Sequence, residues 1–254
     1  MKHLILLSFL SGVYLTAAAQ GSEPSRVPNQ GIEITFHNGL IYAGSGHSMR
    51  SQLRNAGFNV DKSKGGSRTL FSFLDDMSRN KPREEASAQL GVIFPVKEKY
   101  KVKGLYNYRE TAVRGISDMD SQYEVFRIET SSHTVAAVGF APLATRLFRV
   151  GVGPAFHLVN AKPIYDEKKL SKNNYFKPGM VIESGFSSSS GKSFYFDIQL
   201  QYFYIGNADL GSYSIKANNY EETSSTKTVD LYNSKFSSLS LGLGVGFRLK
   251  NRRA

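Results

Sequence analysis

The chain has 254 residues, 41% of them hydrophobic, with no cysteine, no tryptophan and a formal net charge of +11. The absence of cysteine excludes disulfides, thiolate catalysis, cysteine-based zinc sites and a lipid anchor on an N-terminal cysteine. The basic excess calls for anionic partners and says nothing by itself about the fold.

Met1 to Ala19 reads as a secretory signal: Lys2 and His3 form the basic start, Leu4 to Leu15 the apolar stretch, and Ala17 and Ala19 the small residues of a cleavage site. Residues 20–30 read as a flexible lead-in. No later segment reaches about 18 consecutive apolar residues, so no transmembrane helix is expected in the mature chain. For an exported basic protein, the expected counter-charges are lipid headgroups or lipopolysaccharide, with no nucleic acid.

Eight alternating segments follow. Ile32–Ala43 sets Ile32, Ile34, Phe36, Leu40 and Tyr42 against Glu33, Thr35, His37 and Gly39. Ala86–Val96 has Ala88, Leu90, Val92, Phe94 and Val96 on its apolar face. Tyr100–Thr111 opposes Tyr100, Val102, Tyr106 and Tyr108 to Lys101, Lys103, Asn107 and Arg109. Val125–Ala141 is read with Phe126, Ile128, Ala136, Val138 and Phe140 outside, and Arg127, Glu129, His133 and Gly139 inside.

Arg146–Val159 opposes Phe148, Val150, Val152, Phe156 and Leu158 to Arg149, Gly151, Gly153 and His157. Pro178–Ser188 sets Met180, Ile182 and Phe186 against Glu183 and Gly185. Ser193–Gly206 sets Phe194, Phe196, Ile198, Leu200, Tyr202 and Tyr204 against Asp197, Gln199 and Gln201. The last, Ser237–Lys250, alternates most strictly: Leu239, Leu241, Leu243, Val245, Phe247 and Leu249 against serine, glycine, Arg248 and Lys250. A period of two places these sets on opposite faces of a strand.

The connections alternate short and long. Lys97–Lys99, Pro142–Thr145 and Ser189–Lys192 are short; Gly44–Glu85, Ala112–Glu124, Asn160–Lys177 and Asn207–Phe236 are long. That is the pattern of an up-and-down transmembrane barrel, with its greasy face toward lipid and glycine, serine and charge toward a narrow lumen. Aromatics at strand ends, among them Tyr42, Tyr100, Tyr108, Phe126, Phe148, Phe156, Phe186, Phe194, Tyr204 and Phe247, are expected in two girdles. In the first long connection, Met49, Leu53 and Ala56 have helical spacing, and Leu70 to Met77 suggests a second short helix. An extra hairpin there, giving ten strands, is the alternative.

The eight segments, the closing L-S-L-G-L-G-V-G-F-R-L-K and the Ala-Ala-Ala-Gln signal end together resemble the small outer-membrane β-barrel proteins. The likeness is to OmpA/OmpX-like barrels, and above all to the porin-family or "outer membrane protein beta-barrel domain" group of Bacteroidota type. It implies an all-β fold: one closed antiparallel barrel over residues 31–250, with a tail at 251–254. It implies a location in the bacterial outer membrane, reached through the barrel-assembly machinery. It brings no catalytic motif.

No catalytic, cofactor or metal residue is expected. Phe186–Ser193, F-S-S-S-S-G-K-S, lacks the first glycine of a phosphate loop and precedes a strand, so it reads as a turn. His37, His47, His133 and His157 have no metal-ligand spacing. The expected lumen cluster is Glu33, Lys101, Lys103, Arg109, Arg127, Glu129, Arg149, His157, Glu183, Asp197 and Arg248. Because buried charges need partners and eight strands leave room only for side chains, a plug is expected. A narrow anion-preferring pore is the alternative. A lipid-modifying enzyme and a soluble exported lipocalin-like carrier with inverted faces are further readings. Extracellular binding is assigned to loops 44–85 and 207–236.

Overall fold

The computed structural model describes residues 31–42, 45–60, 85–96, 100–119, 122–141, 147–166, 168–188, 193–216 and 226–249. The signal segment 1–19, the lead-in 20–30, the second loop helix, most of the three short turns, the side chains of Leu40 and Tyr42, and the tail 251–254 lie outside them. Strands in chain order are β1 Glu33–Tyr42, β2 Asn59–Val60, β3 Glu85–Pro95, β4 Lys101–Met119, β5 Gln122–Phe140, β6 Phe148–Tyr165 and β7 Lys168–Lys169. Then come β8 Asn173–Ser187, β9 Phe194–Tyr204, β10 Asn207–Ala208, β11 Ser212–Lys216, β12 Thr226–Asp230, β13 Ser234–Lys235 and β14 Ser238–Arg248. One helix, α1, spans Ser45–Asn55.

Eight strands close a ring of antiparallel ladders in the order β1, β3, β4, β5, β6, β8, β9, β14 and back to β1. Among its described residues the loop before β3 adds only β2, which pairs with β4, and the closed ring has eight members and not ten. Every ring strand pairs with its sequence neighbour in the ring, and the last closes on the first. No strand edge is left open between them, which solves the edge problem of any sheet.

The register fixes the tilt. Phe94 lies one step beyond the Ile93–Glu33 pair, level with residue 32. The ladder from Phe94 then runs through Val102, Gly139, Val152, Ile182, Tyr202 and Leu239 to Tyr42. It returns ten residues along β1 from its start. With strands about 4.8 Å apart and about 3.3 Å per residue, that stagger over eight strands tilts them by about 40°.

β4, β5, β6 and β8 are longer than their alternation predicts. β4 and β5 remain paired from Lys101–Phe140 to Met119–Gln122, so 112–124 is a continued hairpin and not a long loop. Likewise β6 and β8 extend to the Ala161–Asn173 pair. These extensions carry the ladder past the ring and support an apolar cap. Met49 and Leu53 of α1, spaced four apart on one helix face, are fully buried with Phe126, Ile128, Leu231 and Val229. Gly57 ends α1 with a positive φ of 82°: Phe58 N–H donates to the Leu53 carbonyl at 3.0 Å and Gly57 N–H to the Arg54 carbonyl at 2.9 Å. Gln52 Nε2 donates to the Tyr232 carbonyl at 2.6 Å, tying α1 to the hairpin that follows β9.

Replacing Leu53 by alanine should remove about 2–5 kcal/mol from this cap. Limited proteolysis should then cut within 45–60 while the ring keeps its resistance to SDS. Equal cutting of wild type and variant would show that the cap is held by something other than this packing.

Candidate functional site

Two surfaces carry the chemistry, the lumen and the outer wall. The lumen has two halves. Toward the short turns it is built of ions. Arg149 donates from Nε to Glu183 at 2.9 Å, and from Nη1 and Nη2 to the two Asp197 oxygens at 2.6 and 2.5 Å. Lys103 Nζ, with no exposure, lies 3.0 Å from both Glu183 oxygens and 2.9 Å from Gln199 Oε1. Gln201 Nε2 donates to Glu183 at 2.7 Å, and His37 Nε2 stands 2.6 Å from Asp197. At the end nearest the turns, Glu33 takes Lys101 at 2.8 Å, Arg248 at 3.3 Å and the Tyr195 hydroxyl at 2.5 Å.

The inward glycines make this possible. A Cβ on Gly185 would stand 2.6 Å from the Arg149 guanidinium carbon, and one on Gly246 would meet the Tyr195 ring at 2.1 Å. These residues are small because the facing side chains fill the bore. Gly246→Val should therefore block refolding, measured as loss of the heat-shifted band on SDS gels. A substitution by valine that leaves the band intact would show a bore wider than described.

In the half toward the long loops, Arg109 donates to Ser238 Oγ and, at 3.2 Å, to Thr134 Oγ1. His157 Nδ1 pairs with Thr134 Oγ1 at 2.8 Å. Thus Lys103, Arg149, Glu183 and Asp197 meet in one network and Glu33, Lys101 and Arg248 in a second cluster nearer the turns, while Arg109 and His157 lie apart from both in the same lumen.

Arg127 and Glu129 require a correction. Both stand on the outer wall, about a third exposed, paired with each other, because their neighbours Phe126 and Ile128 turn inward to the cap. The whole of β5 is reversed relative to its reading: Ala136, Val138 and Phe140 line the lumen, and Val135 faces out. Val135–Val138 is apolar at every position, so alternation carries no parity there, and packing decides. Phe140 lies under Arg149, its ring centroid 5.7 Å from the guanidinium carbon. Phe126 accordingly belongs to the cap and not to a girdle. His133 is also outside, its Nδ1 2.8 Å from the Tyr106 hydroxyl and its ring 4.9 Å from that of Tyr108.

The outer wall is graded. Phe36, Leu90, Val152, Ile182, Phe196, Ile198, Leu241 and Leu243 are exposed large apolar side chains. Leu239 and Val245 stand half-buried in the same closing strand, and Phe247 and Leu249 are exposed at its end. From Phe194 to Tyr204 this band runs ten steps along a tilted strand, about 25 Å of height. Phe94, Tyr100, Phe186, Phe194 and Phe247 border it at the turn side, and Tyr106, Phe156, Phe176, Tyr202 and Tyr204 at the loop side. Above Tyr108, His133 and Leu158, which share one cross-strand level, the next levels are Glu110, Ser131 and Asn160, then Ala112, Glu129 and Lys162, then Arg114, Arg127, Ile164 and Lys169. The wall passes from apolar and aromatic to polar and charged within four levels.

Among the described residues no helix is long and apolar enough to cross a membrane, and no group of histidine and carboxylate side chains is placed to hold a metal ion. No family model and no curated protein matches the chain. Among solved structures it is similar to Ail, the attachment invasion locus protein of Yersinia pestis. That match has 10% identity and a TM-score of 0.39, covering 87% of this chain and 99% of that one. It is similar to Neisserial surface protein A at 11% identity and 0.37, with 87% and 98% covered. It is similar to the outer membrane protein OprG of Pseudomonas aeruginosa at 13% and 0.36, with 89% and 100% covered. These likenesses are too low to carry an argument, and the fold rests on the chain's own closed ring of hydrogen bonds.

Proposed function

We propose that the protein is a non-enzymatic barrel of the bacterial outer membrane, closed to solutes, which serves envelope structure or surface binding through its long-loop end. The observation that carries this is the graded wall. A continuous apolar belt about 25 Å tall, bordered by aromatics, matches the hydrocarbon layer and its two interfaces. Water on that belt would leave an exposed apolar surface far larger than soluble monomers show. The same grading argues against a lipocalin-like carrier, whose apolar face would line the lumen; here the lumen face holds ion pairs.

Arg114 and Lys169 stand on the outer wall three cross-strand levels beyond Tyr108, while Arg127 beside them is paired with Glu129. Each such cation contributes roughly 1 kcal/mol toward an anionic leaflet, which supports contact with lipopolysaccharide phosphates. The N-terminal signal and the closing strand fit export and insertion by the barrel-assembly machinery. Surface binding is assigned to loops 44–85 and 207–236.

Full burial of Lys103, Glu183 and His157 favours a plug over a pore.

The test is fractionation followed by unboiled and boiled SDS gels, with planar-bilayer recordings on the purified protein. The reading expects membrane sedimentation, a heat-dependent shift and no steady conductance. A soluble protein without a heat shift would overturn the membrane assignment, and steady anion-selective steps would replace the plug by a pore.

A further inference from the structure

The structure assigns a binding site for one small inorganic anion, of halide size, to the loop-side half of the lumen, organised by Arg109. This guanidinium is 4% exposed, yet the three carboxylates of the lumen network, Glu33, Glu183 and Asp197, are engaged elsewhere. Its partners are neutral: the Ser238 and Thr134 hydroxyls and the face of Phe203, whose ring centroid is 4.1 Å from the guanidinium carbon. Its Nε–H has no acceptor. A buried cation surrounded by neutral groups is costly unless a counter-charge joins it.

Beside it lies a cavity of about 20 Å³, with Arg109, Thr111, Thr130, Ser132 and Ser238 on its polar side and Val159, Ile205 and Phe236 on its apolar side. That space admits one water-sized guest. The guanidinium sets the sign of the guest, hydroxyls offer further hydrogen bonds, and the small volume suits a monatomic ion better than phosphate, sulfate or an organic acid. Chloride meets all three conditions, and bromide is its close substitute. The Thr130 hydroxyl already donates to the Thr111 carbonyl at 3.1 Å, so the N–H of Arg109 and the remaining hydroxyls are the groups that face the anion. The site is built by ring strands together with Ile205 and Phe236 beside them, and holds whichever medium surrounds the barrel.

One rival counter-charge is placed by the register. Glu85 of β3 pairs with Thr111, two residues along the ladder from the Ser87–Arg109 pair. The experiment therefore uses three proteins, wild type, Arg109→Met and Glu85→Gln, refolded in detergent. Thermal unfolding is followed by circular dichroism at constant ionic strength in sodium gluconate, sulfate, chloride and bromide.

In the wild type, chloride and bromide should raise the midpoint saturably, by roughly 5–10 °C at 100 times the dissociation constant, with gluconate and sulfate equivalent to each other. Arg109→Met should lose the halide effect and Glu85→Gln should keep it. Equal wild-type midpoints in chloride and gluconate would overturn the site. So would a halide effect that appears only in Glu85→Gln, which would make Glu85 the counter-ion. If Arg109→Met does not refold, crystals of the wild type grown in bromide decide. An anomalous peak within hydrogen-bond reach of Arg109 supports the site, and an empty cavity overturns it.

Discussion

Replacing Glu183 by leucine should destabilise the folded barrel by about 3–5 kcal/mol, the range for breaking a buried ion pair from one side. Glu183 is the hub of the turn-side network: Lys103, Arg149 and Gln201 all direct donors at its two oxygens. Arg149 keeps Asp197 when Glu183 is lost. Lys103 keeps only the neutral Gln199 oxygen, with no exposure to water. The loss should therefore be traceable to Lys103. The double variant Glu183→Leu with Lys103→Met removes both charges and should recover more than half of the stability, because two apolar groups of similar size leave nothing uncompensated. Urea unfolding of the refolded protein, followed by tyrosine fluorescence and circular dichroism since the chain has no tryptophan, measures both. A single variant within about 1 kcal/mol of wild type, or a double variant no better than the single, would show that the lumen is hydrated enough to solvate Lys103.

The second large effect belongs to the outer wall. Leu243→Arg sits at the middle of the closing strand's apolar row, and in bilayers should cost about 2–4 kcal/mol. Leu249→Arg, at the turn-side margin, should cost only about 0–1 kcal/mol. The contrast between two identical changes on one strand is the signature of a depth-dependent medium. In water both are exposed surface substitutions, about 40% and 53% accessible in the wild type, and each should stay within roughly 0.5 kcal/mol of neutral. Folding titrations into vesicles decide the matter. Equal and small effects at both positions would remove the membrane assignment while leaving the closed ring untouched.

The two variants probe features that differ in how they can be read from the chain. The closing strand is legible because Leu239–Leu249 alternates without a break and its opposite face is glycine, serine and cation. Only one parity keeps Arg248 away from the apolar row. The same holds for β9, where Asp197, Gln199 and Gln201 mark the inner face. In β5 the run Val135, Ala136, Ala137, Val138 offers no contrast, and the polar pair Arg127–Glu129 pointed to the wrong side. Its charges neutralise each other outside the ring, so they needed no lumen. The lengths of β4, β6 and β8 were hidden for a related reason. Beyond the apolar belt the outer face of β4 and β6 turns polar and the inner face apolar, reversing the pattern that marked them as strands, and in β8 Asn173, Asn174 and Lys177 break the alternation on both faces. The helix α1 was visible in the spacing of Met49, Leu53 and Ala56, but the surface it covers was not.

What the sequence by itself determined is therefore the class of the molecule: eight antiparallel strands, short turns at one end, long connections at the other, and the parity of most walls. These follow from local periodicity and turn composition, which depend on neighbours a few residues away. Only the tertiary structure decided the ten-residue stagger of the ring, the assignment of β5, the cap over the loop-side end, and which cation meets which carboxylate. Those depend on contacts between residues far apart in the chain, such as Lys103 with Glu183 and His37 with Asp197. Pairing energies among six or more candidate charges are set by geometry that alternation does not encode. The separation of Arg109 from every carboxylate of the network is the clearest case. Its place in the lumen face follows from parity, while its distance from Glu33, Glu183 and Asp197 follows only from how the ring closes.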